Sequence, residues 1–382
     1  MAIIRSIETG AVNVPLNKPT SFSNRTVLTR QFGLIRINTD TASGIGLAYV
    51  GTAGGELFPM AVETLLAPVL LGRDTCEVER LWMEMYQEAL MQGRSGVVHR
   101  AISAIDIALW DHNAKEAKKP LHKFLGAYEM DSVPVYASGG YYLDDKGNDK
   151  LAAEMSGYIA AGFKAVKMKT GRLSPAREED RLRAVREAVG EDVLVMMDVN
   201  NGWRDVTQAL QYMRRFEKYN PHFLEEPFLC DDIDSHSALA KLTSIPIATG
   251  EVETNRWRFK EILDKKAALI LQADVAVCGG ITEWKRIVSM AGCYGVIVYP
   301  HAWHDLHAPL AASQPNVPMC EMFTNDEIFN PSSLLDKRMV QKDGRLQLWQ
   351  EPGLGFGFKE DVLAKTAMSG DGPGKGPWVT LK

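Results

Sequence analysis

The chain has 382 residues, which is long enough for two domains or for one barrel with additions. Its 46% hydrophobic and 24% charged residues are typical of a soluble globular protein, and no apolar run approaches the roughly 20 residues of a membrane span. The 43 basic and 48 acidic residues give a net charge of −5, which argues against a general binder of nucleic acid or of an anionic membrane. The chain begins with Arg5 and Glu8 among its first residues instead of a secretory core, so we expect a cytoplasmic protein.

The cysteines are odd in number and scattered, and none belongs to a C-x-x-C pair. They are Cys76, Cys230, Cys278, Cys293 and Cys320. We therefore expect reduced, mostly buried thiols, with neither a disulfide framework nor a thiolate metal site.

The first part of the chain, to about residue 60, alternates apolar and polar side chains in short pieces, and this pattern predicts a small antiparallel meander. The polar, proline-containing residues 15–26 are expected to form a loop between its first strands. Helical periodicity follows from about residue 59 to residue 126. Asp106 lies within its most apolar stretch, where a buried, hydrogen-bonded carboxyl is expected rather than a catalyst. This first region therefore predicts an α+β domain.

From residue 133 the pattern changes to short apolar strands that alternate with helices. The predicted strands cover residues 133–137, 165–168, 193–197, 222–224, 245–248, 269–271, 296–299 and 319–320. Helices are expected between them, for example over residues 178–189, 206–218 and 283–291. Strand and helix pairs repeated in this way predict a TIM-type (β/α)8 barrel.

Chemically useful side chains stand at the carboxyl ends of seven consecutive predicted strands. In chain order they are Lys167 and Lys169, Asp198 and Asn200, Glu225 and Glu226, Glu251, Asp274, His301 and Glu321. Active sites of this fold lie at that face and combine residues from several strands. Each residue alone could be an ordinary solvated side chain, but the whole series is better explained as an active site.

Three of the carboxylates, Asp198, Glu225 and Glu251, follow adjacent strands and form a set of hard oxygen ligands that suits Mg²⁺. Structural salt bridges are the alternative, but no arginine ends these strands. A Mg²⁺ ion that binds a substrate carboxylate would stabilise the dianion that forms when the α-proton leaves.

Two groups could move that proton. Lys167 and Lys169 project to the same side of one strand, and Lys169 can be a base if burial, Lys167 and the metal lower its pKa. His301 can act from the other side of the carbon, with Asp274 orienting its ring. Glu321 could hydrogen-bond a carboxylate or enolate oxygen if it is protonated there.

These positions carry motifs that resemble the enolase superfamily and, within it, the mandelate racemase subgroup. The matching stretches are Lys167-x-Lys169, Asp198-Val199-Asn200, Glu225-Glu226-Pro227, Gly250-Glu251, Asp274 with Cys278-Gly279-Gly280, His301 and Glu321. Residues 104–111 resemble the capping-domain helix of that family, and residues 352–355 resemble its C-terminal return to the capping domain.

The resemblance implies an α+β capping domain over residues 1–130, a modified (β/α)7β barrel over residues 131–335, and a C-terminal segment, 336–382, that returns to the capping domain. It also implies one Mg²⁺ per subunit, usually a homo-oligomer, and reactions that begin by removing the proton α to a carboxylate. The implied metal ligands are Asp198, Glu225 and Glu251. The implied acid/base pair is Lys169 and His301, with Lys167, Asn200 and Glu321 stabilising the carboxylate or enolate.

Our first hypothesis is a dehydratase that converts an acid sugar to a 2-keto-3-deoxy acid. Tyr299-Pro300 before His301 favours this reaction within the family. The loop over residues 17–25, with Ser21, Ser23, Asn24 and Arg25, suits hydroxyl groups, and Tyr49, Trp303 and His304 could add contacts near the mouth.

Other functions remain open at this point. A racemase, an epimerase or a cycloisomerase acting on a carboxylate would use the same core residues. A zinc hydrolase is suggested by His301, His304 and His307, which are spaced by three residues, but it leaves the lysines and the carboxylate series unexplained. A non-catalytic descendant of an enzyme would be expected to have lost at least one member of the set.

Overall fold

The computed structural model describes the chain except residues 22, 24, 325–328 and 371–373 and the side chain of residue 332. Its N-terminal sheet is antiparallel and consists of β1 (Ser6–Ser21), β2 (Thr26–Asn38) and β3 (Ser43–Gly51), with the C-terminal strand Val379–Leu381 paired to β1. The prediction of a loop over residues 15–26 was wrong for most of that segment. A shift in register after Pro15 lets Thr20 and Ser21 pair again with Val27 and Thr26, so the polar residues extend the ladder.

Helices cover one side of this sheet. They are α1 (Leu57–Ala61), the π-helical turn Val62–Leu66, α2 (Ala67–Leu70), α3 (Val78–Glu88), α4 (Gly96–Glu116) and α5 (Leu121–Phe124). The long helix α4 lies directly on β3, where Gly44 and Gly46 leave no room for a Cβ against the carbonyl groups of Ala108 and Ala104. The glycines therefore set the distance between helix and sheet.

Parallel strands and helices alternate through the rest of the chain, as predicted. The strands are β4 (Ser132–Gly139), β5 (Ala165–Lys169), β6 (Leu194–Asp198), β7 (Phe223–Glu225), β8 (Ile247–Thr249), β9 (Ile270–Leu271), β10 (Ile297–Val298) and β11 (Cys320–Phe323). The helices are α6 (Asn148–Ala160), α7 (Pro175–Val189), α8 (Val206–Phe216) with the 3-10 turn Glu217–Tyr219, α9 (Ile233–Ala240), α10 (Asn255–Asp264), α11 (Gly280–Cys293) and α12 (His304–Ala311). The strand order β11-β4-β5-β6-β7-β8-β9-β10 is that of a barrel, and the predicted strand bounds differ from the observed ones by up to three residues.

The C-terminal segment contacts both parts of the molecule. After the 3-10 turn Pro331–Leu334, the hairpin β12 (Gln341–Lys342) and β13 (Arg345–Gln347) pairs with the start of β4. Helix α13 (Glu360–Thr366) and β14 (Val379–Leu381) then pack on and pair with β1. This path agrees with a return to the N-terminal sheet, while the boundaries at residues 130 and 335 stay predictions.

One continuous apolar core joins the N-terminal sheet, α4 and the barrel helix α11, through side chains such as Phe32, Ile105 and Trp284. At the same boundary the fully buried carboxylate of Asp106 accepts hydrogen bonds from the backbone N–H and the hydroxyl of Thr282, at 2.9 and 2.6 Å. The prediction of a buried, hydrogen-bonded Asp106 is confirmed. These contacts fix how the N-terminal elements lie over the barrel.

Two smaller predictions can also be compared with the described residues. None of their cysteines forms a disulfide, and two of the five thiols are buried, one is intermediate and two are exposed. None of their helices is long and apolar enough to cross a membrane.

Candidate active site

Strand register brings the first members of the site together. Lys169, Asp198 and Glu225 are the last residues of β5, β6 and β7, and each is paired with the next across the parallel ladder. Glu251 follows β8 by two residues, after Gly250, whose φ of +124° turns the chain in a way that favours glycine. The carboxyl ends of neighbouring strands thus present an amine and three carboxylates to one another.

The three carboxylates form the cluster that the sequence predicted. One oxygen from each of Asp198, Glu225 and Glu251 lies within 4.8 Å of the other two, and the part of the chain that the structure describes contains no other such group of three or more candidate ligands. Burial and the neighbouring Asp198 raise the pKa of Glu225. Its Oε1 atom is buried and accepts no hydrogen bond. A buried carboxylate oxygen without a donor, inside a group of like charges, fits a hard divalent cation such as Mg²⁺.

The two lysines are buried among carboxylates. Lys167 lies 2.6 Å from Glu225 Oε2 and 2.7 Å from Glu321 Oε1, and Lys169 contacts Asp198 Oδ2. Burial is the largest influence on the pKa of Lys169 and lowers it, but the attractions of Asp198, Tyr141 and Glu225 together outweigh burial, and the net shift is upward. The predicted lowering of this pKa by Lys167 and the metal stays a prediction, and the direct contact with Asp198 opposes it.

His301 and Asp274 make the predicted contact. His301 Nδ1 lies 2.9 Å from Asp274 Oδ2, and Nε2 lies 3.5 Å from Glu251 Oε2. The other oxygen of Asp274 accepts the Ala276 N–H at 2.8 Å, which fixes the carboxylate. Burial lowers the pKa of His301, but Glu251 and Asp274 together raise it by a larger amount, and the net value is about 9. The ring is therefore held by Asp274, and the two carboxylates favour its protonated form.

The prediction that Glu321 could donate a hydrogen bond requires a protonated carboxyl, and the positive charges around it oppose that protonation. Burial alone would raise its pKa, but Lys167 and His301 lower it to about 2. Its Oε2 atom accepts the Ala302 N–H at 2.8 Å. Because Lys167 lies in direct contact, Glu321 acts in this state as an acceptor that holds the lysine.

The three histidines of the zinc hypothesis do not converge. His307 Nδ1 lies 2.9 Å from the Ala302 carbonyl, and its Nε2 accepts the Val275 N–H at 3.0 Å. His304 contacts Asp305 and Arg338, while His301 contacts Asp274. Among the described residues they form no metal cluster, so the zinc-hydrolase hypothesis was wrong.

Asn200 and Glu226 lie where the chain turns at the barrel mouth. Asn200 has a φ of +49° and donates its backbone N–H to Asp198 Oδ1 at 2.8 Å. Glu226 has a φ of +43°, and its Oε2 accepts a hydrogen bond from Asn201 at 2.6 Å. These left-handed turns place Asn200 in the wall of the site and Glu226 behind it.

A cavity of about 70 Å³ lies above these groups, between the barrel and the N-terminal elements. Its lining residues are Arg25, Arg30, Tyr49, Tyr141, Lys167, Lys169, Asn200, Glu251, His301, Glu321, Phe323 and Phe329. The volume is well below the roughly 300–1,000 Å³ of typical ligand pockets.

The sequence missed several of these lining residues, namely Arg30, Tyr141, Phe323 and Phe329. Arg30 left a signal that could have been used, since it shares one face of β2 with the buried Phe32 and Leu34. Of the loop residues named from the sequence, Arg25 lines the cavity, Ser21 bonds Thr26, Ser23 bonds the Val199 carbonyl, and Asn24 lies outside the described residues. Trp303 packs against Phe32 and Phe329 and is not part of the wall.

The strand ends of this parallel barrel carry a carboxylate cluster between a lysine and a histidine that is held by an aspartate. This arrangement is typical of metal-dependent barrel enzymes. Residues 150–362 match the family described as enolase C-terminal domain-like, and residues 4–126 match the N-terminal domain of the mandelate racemase and muconate lactonizing enzymes. The chain belongs to the enolase superfamily, in its mandelate racemase subgroup.

Named relatives include several sugar-acid enzymes. Arabinonate dehydratase of Saccharolobus solfataricus is 38% identical over 84% of this chain and 85% of its own length. The L-talarate/galactarate dehydratase of Salmonella typhimurium is 34% identical over 86% and 81%. A cycloisomerase for 3,6-anhydro-α-L-galactonate from Streptomyces coelicolor is 30% identical over 96% and 100%.

Solved structures agree with the fold over the whole chain. The L-talarate dehydratase of a Polaromonas species, in complex with Mg and L-glucarate, superposes with a TM-score of 0.87 at 31% identity and covers 100% of this chain and 99% of its own. The chain is therefore an enzyme of this superfamily, and its carboxylate cluster is placed to hold a metal ion of the kind these relatives bind.

Proposed function

We propose that this enzyme is a Mg²⁺-dependent dehydratase of an acid sugar, which removes the α-proton and the β-hydroxyl to give a 2-keto-3-deoxy acid. One observation carries the proposal. Lys169 and His301 both line the cavity that the metal cluster adjoins through Glu251, and they come from β5 and from the end of β10, which are not neighbours in the sheet. Two proton-carrying groups from different sides of a metal-binding cavity suit an elimination.

In this proposal Asp198, Glu225 and Glu251 hold one Mg²⁺ per subunit, and the ion, when bound, supplies positive charge for the substrate carboxylate and the enolate. Lys167 adds a fixed positive charge, because Glu225 and Glu321 hold its ammonium group in place. Asn200 lines the same wall and can donate a hydrogen bond to the carboxylate or enolate.

The proton steps fall to two side chains. Lys169 acts as the neutral amine: when Asp198 holds the metal, the ammonium group of Lys169 can lose a proton to solvent, and the amine then takes the proton from the α-carbon. His301, oriented by Asp274, gives its Nε2 proton to the β-hydroxyl, which leaves as water while the C–O bond breaks. The remaining enol takes up a proton at the β-carbon and loses the proton of its hydroxyl group, which gives the 2-keto-3-deoxy acid. The order in which the two bases act, with His301 first as the alternative, follows from the stereochemistry of the substrate.

The second candidate is a racemase, epimerase or cycloisomerase that forms the same enolate without losing water. The cycloisomerase relative supports it, because it matches nearly the whole chain. A cycloisomerase would use Lys169 and His301 on opposite faces of the α-carbon but would not need a leaving β-hydroxyl.

A panel of mono- and diacid sugars with Mg²⁺ tests the proposal. We expect one group of acids to give a 2-keto-3-deoxy product in a carbonyl assay, with deuterium at the new methylene group in D₂O. Exchange of the α-proton without such a product would favour the second candidate. Absence of both product and exchange for every acid would contradict the enolate mechanism itself.

We also propose that the enzyme assembles as a homo-oligomer and works in the cytoplasm. Its proposed domain boundaries lie at residues 130 and 335. Light scattering coupled to gel filtration measures the assembly. A monomer at micromolar concentration would contradict the first of these proposals.

A further inference from the structure

We propose that His307 is a positioning residue, whose ring links the turn after Asp274 to the turn after His301 and so sets the geometry of that dyad. The inference rests on the proposed function, in which His301 carries a proton to or from the substrate. His307 is fully buried in α12, and the cavity wall, as far as the structure describes it, does not include it. It therefore acts through the dyad and touches no substrate.

Each ring nitrogen of His307 contacts the residue that follows one partner of the dyad. Nδ1 lies 2.9 Å from the carbonyl oxygen of Ala302, directly after His301. Nε2 lies 3.0 Å from the backbone nitrogen of Val275, directly after Asp274. The dyad itself spans the same two turns through side chains, with 2.9 Å between His301 Nδ1 and Asp274 Oδ2. One planar ring thus holds together the two backbone segments that carry the dyad.

The partners of the His307 ring fix its tautomer. A carbonyl oxygen only accepts a hydrogen bond and a backbone N–H only donates one, so Nδ1 carries the proton and Nε2 carries none. A second proton, at Nε2, would break the hydrogen bond to Val275. Burial lowers the pKa of His307 and so favours the neutral ring.

The turn after His301 has a backbone conformation that needs such support. Ala302 and Trp303 both lie in the left-handed region, with φ of +51° and +42°, which is unfavourable for residues other than glycine. Both backbone groups of Ala302 are bound by side chains, its N–H by Glu321 at 2.8 Å and its carbonyl by His307. Without the His307 ring, this buried carbonyl loses a donor, and the turn can relax and carry His301 with it.

The turn after Asp274 is held in a similar way. Val275 is fully buried, so its N–H needs an acceptor inside the protein, and His307 supplies one. The N–H of Ala276 is bound at 2.8 Å by the carboxylate of Asp274 itself. A displacement of about 1 Å between reacting groups can cost about 100-fold in rate, so a small shift of either turn affects catalysis.

The first test needs no substrate. In protein with ¹⁵N-labelled histidine, the ring that disappears from the NMR spectrum in His307→Phe identifies His307. We expect the neutral tautomer with the proton on Nδ1, unchanged between about pH 5.5 and about pH 8.5, where an ordinary histidine titrates. A proton on Nε2 at any pH in this range would overturn the inference, because Nε2 could not then accept from Val275.

The second test measures kcat and KM of the Mg²⁺-loaded enzyme with the acid that it converts fastest. His307→Phe keeps a ring but removes both hydrogen bonds, and its kcat should fall about 30-fold, with KM changed less than about 3-fold. His307→Gln, whose amide can donate and accept, should recover part of the loss. The matched control is His236→Phe, because His236 is also buried and bonds a backbone carbonyl, that of Asp232. The control should keep its kcat, and an unchanged kcat in His307→Phe would overturn the inference.

A double-mutant cycle separates positioning from a general loss of structure. In a His301→Asn background, His307→Phe should lower kcat by less than about 3-fold, since the group that it positions is gone. A further loss of about 30-fold would overturn the inference. If His307→Phe does not fold, His307→Gln takes its place in the cycle with the same criterion. If the wild type neither dehydrates any acid nor exchanges its α-proton, the proposed function fails, whereas the ring tautomer still tests the contacts of His307.

Discussion

The two walls of the cavity are built on different principles. In the barrel wall, which includes Lys167, Lys169 and His301, charged side chains of nearby strands pair with each other. Lys169 pairs with Asp198 on the next strand, and Lys167 pairs with Glu225 two strands away. In the N-terminal wall, which includes Arg25, Arg30 and Tyr49, the guanidinium of Arg30 lies against two aromatic rings. These are Tyr49 of β3 and Phe329 in the segment after β11. The barrel wall is thus a network of paired opposite charges, whereas in the N-terminal wall aromatic rings pack against a guanidinium group.

In the proposed reaction the barrel wall carries the reacting groups, and the N-terminal wall covers the rest of the substrate. Removing one member of the barrel network leaves an opposite charge buried, so effects there should be large, non-additive and the same for every substrate. Changes in the N-terminal wall should depend on the substrate instead. Parallel strands fix their end residues through the ladder register, and this gives reacting groups the precision that they need.

The largest effects are expected at the two proton-carrying residues. In Lys169→Ala and His301→Asn, kcat should fall by about 10³-fold or more for every substrate, because each side chain moves a proton in the proposed reaction. Product formation and α-proton exchange in D₂O measure the two steps separately.

The exposed Lys164, next to the start of β5, supplies the matched control, and Lys164→Ala should keep full activity. Circular dichroism verifies that each variant is folded. Full activity in both Lys169→Ala and His301→Asn would contradict the roles given to the barrel wall.

Loss of the metal site should come next in size. Mg²⁺ at about 100 times its Kd should raise the free energy of unfolding by about 2.7 kcal/mol, and chelation should reverse this. Glu225→Gln should abolish most of the Mg²⁺ effect, since a neutral amide replaces a ligand carboxylate. Thermal unfolding with and without Mg²⁺ is the measurement.

The control is Glu253→Gln, a buried carboxylate paired with Arg258 outside the cluster. It should lower stability to some degree but keep the response to Mg²⁺. An unchanged Mg²⁺ response in Glu225→Gln would place the ion elsewhere.

A smaller change is expected when only the orientation of His301 is disturbed. Glu251 and Asp274 together raise the pKa of His301 to about 9, and Asp274→Asn removes one of these two carboxylates, so that pKa should fall. The His301 ring then loses its proton at a lower pH, and kcat should decrease about 100-fold at neutral pH. Titration of the His301 ring by NMR in the metal-free protein measures the shift, and an unchanged midpoint would show that Asp274 does not hold the ring.

The residues of the barrel wall could be predicted because the position of each one follows from its own strand. A residue that ends an apolar strand lies at the barrel mouth, so Lys169, Asp198 and Glu225 could be placed without coordinates. Charge states could not be predicted in this way. The pKa values of Lys169 and Glu321 depend on which oppositely charged atom lies within about 3 Å, and that is decided by register between strands.

The N-terminal wall was harder to predict for a related reason. Its residues reach the cavity through contacts between the antiparallel sheet and the barrel, which no single stretch of sequence encodes. Arg30 and Phe329 are separated by most of the chain, and the pairing of Thr20 with Val27 depends on a bulge within a polar segment. Only the alternation along β2 pointed to a buried arginine.

The smallest effect on activity is expected at the contact that holds the two walls together, because a change there alters stability and leaves kcat near that of the wild type. Burial raises the pKa of Asp106 from 3.8 to about 7, although two hydrogen bonds from Thr282 oppose the shift. A raised folded-state pKa stabilises the protein fully below pH 3.8, and this contribution is lost as pH rises through 7. Between these values the stability of the wild type should therefore fall by about 1.4 kcal/mol per pH unit from this group alone.

Asp106→Asn keeps an oxygen that can accept from Thr282 but cannot ionise, so it lacks this pH dependence. Its free energy of unfolding, relative to wild type, should rise steadily between pH 4 and pH 7 in denaturant titrations, with the exposed Asp144→Asn as the control for charge. A constant difference between variant and wild type would mean that Asp106 is ionised throughout, with Thr282 fully offsetting the cost of its burial. Because Asp106 touches neither cavity wall, kcat should stay near that of the wild type at every pH where the variant is folded.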